Sequence, residues 1–75
     1  MEFSYDKIAD VLYIKLNHET VKNTEEIGEG TIIDYSENNV VIGVEILNYS
    51  QRNINLNKLV LLNAEELIPT IVQCR

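Results

Sequence analysis

Four carboxylates are the groups in this chain whose types and spacing could support chemistry. Asp6 and Asp10 flank a predicted turn, while Asp34 and Glu45 lie inside two predicted strands. Oxygen ligands at a turn could bind a hard cation such as Mg²⁺, and two acids on adjacent strands could do acid–base work. The alternative is that Asp6 and Asp10 organise the turn and that Asp34 and Glu45 face solvent. We favour this alternative for both pairs.

Nucleophilic and metal chemistry have little support in the sequence. Catalysis by Ser, Thr or Cys normally needs a positioned base, most often His, and the chain has one histidine, His18, and one cysteine, Cys74. No C-x-x-C or H-E-x-x-H spacing occurs, although such spacings mark many metal sites. We expect His18 to be an exposed loop residue and Cys74 a structural thiol. The predicted sets of catalytic residues, metal ligands and cofactor-binding residues are therefore all empty.

The charge disfavours nucleic acid as a partner. The net charge is −6, from twelve acidic and six scattered basic residues, whereas nucleic-acid affinity comes largely from Lys and Arg. Tyr13 near Lys15 is a fragment of an aromatic and basic platform for RNA. Residues 28–30, GEG, lack the third glycine and the Lys-Ser/Thr pair of a phosphate-binding loop. We expect no nucleic-acid partner.

Size predicts association with another chain. Seventy-five residues make one domain, residues 1–75, with a thin stability margin. Disulfides and metals are the usual supports of small domains, but this chain has one cysteine, which cannot form a disulfide within the chain, and one histidine as a metal ligand. We therefore expect a homodimer, a higher oligomer or a second protein as partner. An acidic domain can match a basic partner through complementary fields, although the charge can also serve solubility alone.

No segment predicts export or membrane insertion. The N-terminus, MEFSYD, lacks the basic start and apolar core of a signal peptide. The longest apolar run, residues 59–62, is far shorter than the ~20 residues of a membrane span. The sequence predicts a cytoplasmic protein with no membrane partner.

These side chains must be positioned by short strands, which alternating polarity predicts between residues 2 and 48. The expected strands cover residues 2–6, 11–17, 24–27, 31–35 and 40–48. In the second strand Leu12, Ile14 and Leu16 should face the core.

The last of these strands is the strongest, because residues 40–47 are rich in β-branched side chains. It should pair with residues 31–34 through a turn at 36–39, where Asn can adopt positive φ. One face of the strand is predicted to carry Val40, Ile42, Val44 and Ile46, and the other Val41, Gly43, Glu45 and Leu47. Cover by a helix or another subunit would suit the second face.

Helical spacing follows the strands. We predict helices over residues 55–61 and 64–73, the second opened by a capping box between Asn63 and Glu66. Pro69 should kink or end the second helix, because it lacks an NH group and its ring crowds the preceding turn. The expected fold is α+β: an antiparallel sheet of about four to five strands, residues 2–48, with one or two short C-terminal helices on or beside it.

Three segments resemble a known family. Residues 5–14, YDKIADVLYI, residues 33–35, IDY, and residues 41–47, VIGVEIL, with Ser50 beyond, occur in this order. This arrangement resembles the small prokaryotic family Domain of Unknown Function 2283 over roughly residues 3–50. The resemblance implies a small, mainly antiparallel β domain and supplies no activity, cofactor or catalytic residue. Members are sometimes encoded beside small toxin-like proteins.

The functional hypothesis is a non-enzymatic protein-interaction module, in its more specific form an antitoxin-like partner of a basic toxin. The alternative is a small enzyme or a ligand- or metal-binding domain that uses Asp6, Asp10, Asp34 or Glu45.

Overall fold

The computed structural model describes residues 1–74 and contains one five-stranded antiparallel sheet followed by short helices. The strands are β1 (Glu2–Asp6), β2 (Val11–Lys15), β3 (Asn23–Glu26), β4 (Thr31–Tyr35) and β5 (Val41–Leu47). A 3₁₀ turn (Tyr49–Gln51), α1 (Leu56–Leu59) and α2 (Ala64–Gln73) follow. The predicted α+β class is confirmed. Within the described residues, no helix has the length and apolarity needed to cross a membrane.

The sheet is ordered β1-β2-β5-β4-β3, so its strongest strand lies at the centre. β5 pairs with β2 on one side and with β4 on the other. Central placement suits β5 because β-branched side chains pack well on a pleated surface with neighbours on both sides. The edge strand β3 has only four residues, all polar, and the edge strand β1 carries the exposed Glu2 and Asp6; short, charged edges protect a sheet from pairing with other chains.

The pairing of β4 with β5 contains a register shift. Asp34 pairs with Gly43, but Tyr35 pairs with Val41, which leaves Ile42 as an extra residue. An extra residue breaks the period-2 alternation of a strand. Val41 therefore packs against the core, and Val40 lies outside the strand with 47% of its surface exposed. The predicted faces are correct from Gly43 onward and wrong for these two valines.

The core lies between one face of the sheet and the helices. Its buried members are Leu12, Ile14, Ile33, Val44 and Ile46 from the sheet and Leu59, Leu67 and Ile71 from the helices. Leu12 and Ile14 face the core as predicted, and Leu16 packs half-buried at its edge. Each such side chain contributes roughly 1.5–3 kcal/mol by leaving water. The helices therefore complete a core that the sheet alone would expose.

α2 begins as predicted and continues through its proline. The Asn63 side chain accepts from the NH of Glu66 at 3.1 Å, and the Asn63 NH donates to the Glu66 carboxylate at 3.2 Å. Pro69 lies inside the helix, which extends to Gln73. The carbonyl that loses its partner belongs to Glu65, which is exposed on the first turn, where water can replace the missing donor. The predicted helix over residues 64–73 is confirmed, and of the two effects expected of Pro69, a kink or an end, the helix does not show the end.

Arg52 ties the end of α2 to the sheet. Its guanidinium donates to the carbonyl oxygens of Ile71 at 2.9 Å and Cys74 at 3.1 Å. It also donates to the carbonyl of Gly30 at 2.9 Å and the hydroxyl of Thr31 at 3.1 Å. A cation at a helix C-terminus satisfies carbonyl groups that have no partner within the helix.

Candidate functional site

The second face of the sheet, opposite the helices, carries most of the residues singled out by sequence. The strand registers place thirteen side chains on this face, which we call the open face. Its members are Glu2, Ser4, Asp6, Val11, Tyr13, Lys15, Thr24, Glu26, Ile32, Asp34, Gly43, Glu45 and Leu47. All of them are exposed or half-buried except Asp34 and Gly43.

A hydrogen-bonded cluster occupies the middle of the open face. The Tyr13 hydroxyl donates to Oδ2 of Asp34 at 3.0 Å, and the Thr24 hydroxyl donates to Oδ1 of Asp34 at 2.9 Å. Side chains from two other strands, β2 and β3, thus hold the carboxylate of Asp34 on β4.

Gly43 makes this cluster possible. It lies between Tyr13 and Asp34, and a Cβ atom at position 43 would overlap the Tyr13 hydroxyl and lie 3.2 Å from Oδ2 of Asp34. With hydrogen in place of a side chain, the tyrosine ring can cross β5 and reach β4. Here glycine serves the close approach of a neighbouring side chain.

The prediction that Asp34 faces solvent is wrong. Asp34 is only 8% exposed, because Tyr13 and Thr24 cover and bond its two oxygens. Glu45 lies on the same face, two residues beyond Gly43, which is the register partner of Asp34, and it is half-buried.

The hydroxyl of Tyr13 is held in its protonated form. Burial is the largest cause that raises the Tyr13 pKa, followed by the hydrogen bond to Asp34 and the negative charges of Asp34 and Glu45. A protonated phenol that donates to a carboxylate fixes the position of both side chains, because the donor and the acceptor hold each other in place.

A second cluster, the Asp10 clasp, joins the β1–β2 turn to the 3₁₀ turn. It consists of Tyr5, Asp10, Tyr49 and Ser50. The Tyr5 hydroxyl donates to Oδ1 of Asp10 at 2.6 Å, and Ser50 donates its NH to Oδ1 at 3.0 Å and its hydroxyl to Oδ2 at 2.6 Å. The Tyr49 NH donates to the Asp10 carbonyl at 3.0 Å. The rings of Tyr5 and Tyr49 lie 5.6 Å apart at 60°, a tilted contact typical of aromatic pairs.

These bonds stabilise the charged form of Asp10. The hydrogen bond from Ser50 and then that from Tyr5 lower the Asp10 pKa, while the same contact raises the pKa of Tyr5. Asp10 also has φ of 57°, a left-handed conformation that Asp tolerates better than most residues.

Asp6 organises the turn between β1 and β2, as predicted. Its Oδ1 accepts from the NH groups of Ile8 and Ala9, each at 3.0 Å. Asp10 shares this structural role by tying the turn to residues 49 and 50. Among residues 1–74, no three His, Cys, Asp or Glu side chains are grouped in a way that could hold a metal ion.

His18 and Cys74 lie on different parts of the molecule. His18 is exposed, as expected, and its Nε2 is 3.0 Å from a carboxylate oxygen of Glu2. It borders a shallow hollow of about 310 Å³ together with Phe3, Tyr13 and Lys15. Cys74 is half-buried at the end of α2, where its carbonyl accepts from Arg52.

The remaining acidic residues also have separate surroundings. Glu26 accepts the NH of Gly30 at 3.1 Å and so helps to form the turn between β3 and β4. Glu25 and Glu29 are exposed.

The open face combines apolar side chains with acidic ones. Val11 pairs directly with Leu47, and Glu45 lies between Tyr13 and Ile32. Five members of the open face are acidic and one, Lys15, is basic; the acidic residues are Glu2, Asp6, Glu26, Asp34 and Glu45. The negative charge of the chain is therefore well represented on this surface.

Both clusters fall within a recognised family segment. The family model described as "Protein of unknown function (DUF2283)" matches residues 2–50. The chain belongs to this family. The resemblance inferred from residues 3–50 is confirmed.

The DUF2283 segment contains all five strands, the open face and the Asp10 clasp. Arg52 and both α-helices lie beyond it. No curated protein and no solved structure matches the chain.

Sequence reasoning identified most individual residues but missed the connections between them. Tyr5 and Asp10 belong to one segment of the family resemblance and Ser50 follows another, and the contact between Asp10 and Ser50 joins residues 40 apart in the chain. The Tyr13–Asp34 bond had one usable signal, the isolated glycine at position 43 in an otherwise apolar strand, since such a glycine often marks a close approach. Arg52 had no such signal.

Proposed function

We propose that this protein is a non-enzymatic protein-interaction module. The observation that carries the proposal is the use of its carboxylates: Asp6, Asp10 and Asp34 each accept two or more hydrogen bonds from the protein itself. Carboxylates that bind the chain's own donors in this way have a structural role in the fold. The feature that supports a function is therefore the open face, because exposed tyrosine and aliphatic side chains favour the binding of another protein.

The more specific form of the proposal is an antitoxin-like partner of a basic toxin. The net charge of −6 supports it, because opposite fields accelerate and orient the association of two proteins. The resemblance adds the occasional proximity of toxin-like genes in this family.

Self-association is the second candidate interaction, and a separate surface favours it. Leu56 and Val60 are four residues apart around α1, and Leu61 follows; they are 36%, 52% and 83% exposed. Side chains at this spacing share one side of a helix. A second copy of the chain could cover them.

The experiment that tests the proposal is tagged purification of the full chain from its native host, followed by mass spectrometry and light scattering. We expect either a stoichiometric second protein or a molar mass above that of the 8.6 kDa monomer. A protein that stays monomeric and carries no companion at near-native concentrations would refute the interaction role.

The competing function, a ligand- or metal-binding enzyme, has one observation in its favour. Asp34 is buried and lies on the same face as Glu45 and Tyr13, whose pKa is raised. Groups with perturbed pKa values cluster at functional sites. A cation bound by Asp6, Asp10, Asp34 or Glu45 would raise the melting temperature with Mg²⁺ or Ca²⁺ concentration. We expect the melting temperature to remain unchanged in either salt, relative to NaCl of equal ionic strength.

A further inference from the structure

We propose that the open face is the docking surface for a basic segment of a different protein, one that presents Lys and Arg around an apolar centre. This inference rests on the proposed interaction function and adds the surface, the chemistry of the partner and the exclusion of one alternative occupant. It is carried by the strand register, the charge of the face and the rigidity of its central tyrosine.

The register groups apolar and aromatic side chains around Glu45 on this face. Tyr13, Glu45 and Ile32 lie in one row across β2, β5 and β4, and Val11 and Leu47 lie in the next row. All four apolar or aromatic side chains are half-buried by their neighbours and retain exposed surface. A contiguous group of this kind, rimmed by polar residues, has the composition of a protein interface.

The charged residues around this group are mostly acidic. Glu2 and Glu26 lie at opposite edges of the sheet, Asp6 lies at one end, and Glu45 projects from the middle strand. Lys15 is the single basic member of the defined face, and it pairs in register with Glu2. A partner surface of opposite sign would complement this pattern and be steered toward it.

The same charges disfavour a second copy of this chain on the open face. A twofold dimer places one patch against the identical patch, so acidic residues would oppose acidic residues across the interface. Juxtaposed like charges lower affinity and suppress a wrong partner. Self-association, where it occurs, therefore belongs on the apolar side of α1 and not on this face.

Tyr13 provides a preorganised anchor at the centre of the face. Its ring passes over Gly43 and its hydroxyl is fixed to Asp34 at 3.0 Å, so its rotamer is set before a partner arrives. Binding through a side chain that is already ordered avoids part of the entropy cost of association. Tyrosine is also enriched among residues that contribute most to binding.

The test uses the partner obtained by native purification, expressed and purified by itself, and isothermal titration at 50 and 300 mM NaCl. The open-face variant carries Glu2→Gln and Glu45→Gln. The control variant carries Glu37→Gln and Glu65→Gln, two exposed residues on the β4–β5 turn and on α2. Both variants change the net charge by the same amount.

We expect a basic partner whose Kd rises about three- to tenfold with the open-face variant, since each exposed charge contact contributes modestly. The control variant should stay within about twofold of the wild-type Kd. Higher salt should weaken wild-type binding and reduce the difference between the two variants. Melting temperatures of both variants establish that they are folded.

A second measurement does not depend on variants. Amide chemical shifts of the labelled protein, followed as the partner is added, should change first around Tyr13, Ile32 and Leu47 and little around α2. If the partner is captured but the two variants bind equally and the shifts change on α2, the docking surface is wrong while the interaction role stands. If native purification yields no second protein, the docking proposal and the partner-binding function fail together.

Discussion

Gly43 controls the construction of the open face, because its missing Cβ lets the Tyr13 ring reach Asp34. Gly43→Ala would force the tyrosine aside and leave a buried carboxylate with one donor in place of two. We expect a loss of about 2–4 kcal/mol in the free energy of unfolding, the sum of an unsatisfied buried acceptor and overpacking. Urea unfolding followed by circular dichroism measures it.

A double-mutant cycle with Tyr13→Phe identifies the cause. Phenylalanine removes the hydroxyl that overlaps the added Cβ, so Gly43→Ala should cost clearly less in this background than in the wild type. Part of the cost should remain, because the ring carbon that bears the hydroxyl also lies close to position 43. Equal costs in both backgrounds would show that the glycine is required for a different reason.

Asp10 should make the free energy of unfolding decrease as the pH becomes acidic. Its folded pKa is lowered, first by Ser50 and then by Tyr5, so its contribution is present above the unfolded value of about 3.9. That contribution is lost as pH falls through the lower folded pKa, where protonation removes the charge. We expect the melting temperature of the wild type to fall between about pH 4 and pH 2.

Asp10→Asn is the matched variant for this effect. Asparagine tolerates the left-handed φ of 57° at this position and keeps an acceptor, but it does not titrate. The variant should be less stable than the wild type at pH 6 and should lose less stability between pH 4 and pH 2. Asp6→Asn serves as the comparison within the same turn. An acid profile unchanged by Asp10→Asn would exclude Asp10 as its source.

At the scale of elements, sequence periodicity predicted what depends on local chemistry. The five strands and both helices follow from alternation, β-branching and the capping box at Asn63, each of which acts within a few residues. The register shift at Asp34 and Tyr35 was not predictable, because pairing of two strands decides it. The effect of Pro69 was left open between a kink and an end for a related reason: the continuation of the helix depends on the burial of Leu67 and Ile71 on either side of it, which is a tertiary contact.

The site followed the same division between local and long-range causes. The role of Asp6 was predictable, since its partners are two and three residues away. Asp34 was misjudged, since the residues that cover it come from β2 and β3 and depend on the order of strands in the sheet.

Arg52 should determine whether α2 stays docked. Arg52→Gln removes most of the donors that connect the carbonyls of Ile71 and Cys74 to Gly30 and the Thr31 hydroxyl. We expect a loss of about 2–4 kcal/mol, because several partly buried acceptors lose a charged donor together. Lys58→Gln, an exposed basic residue on α1, removes the same charge and should change stability by less than about 0.5 kcal/mol. Hydrogen exchange of α2 amides should accelerate in Arg52→Gln, and unchanged protection there would contradict the docking role.

At the scale of the whole molecule, the family segment and the folding unit differ in extent. The match ends at residue 50, but three of the eight buried core residues, Leu59, Leu67 and Ile71, come later in the chain. The helices therefore belong to the stable structure even though the family model does not reach them. They also separate the two surfaces considered for binding, since the open face lies on the sheet and the exposed leucines lie at α1.

Self-association at α1 would make thermal stability depend on protein concentration. A dimer that binds only folded chains raises the melting temperature as concentration increases, and the 83% exposed Leu61 and 52% exposed Val60 give a second copy apolar surface to cover. We expect the melting temperature to rise by several degrees between 5 and 500 μM. The double variant Val60→Ser and Leu61→Ser should melt at a concentration-independent temperature and sediment as a monomer. Ile8→Ser, at a 94% exposed position in the β1–β2 turn, is the matched loss of an exposed apolar group and should leave the concentration dependence intact. A wild-type melting temperature that is constant across this range would place Val60 and Leu61, just beyond the end of α1, outside any self-interface.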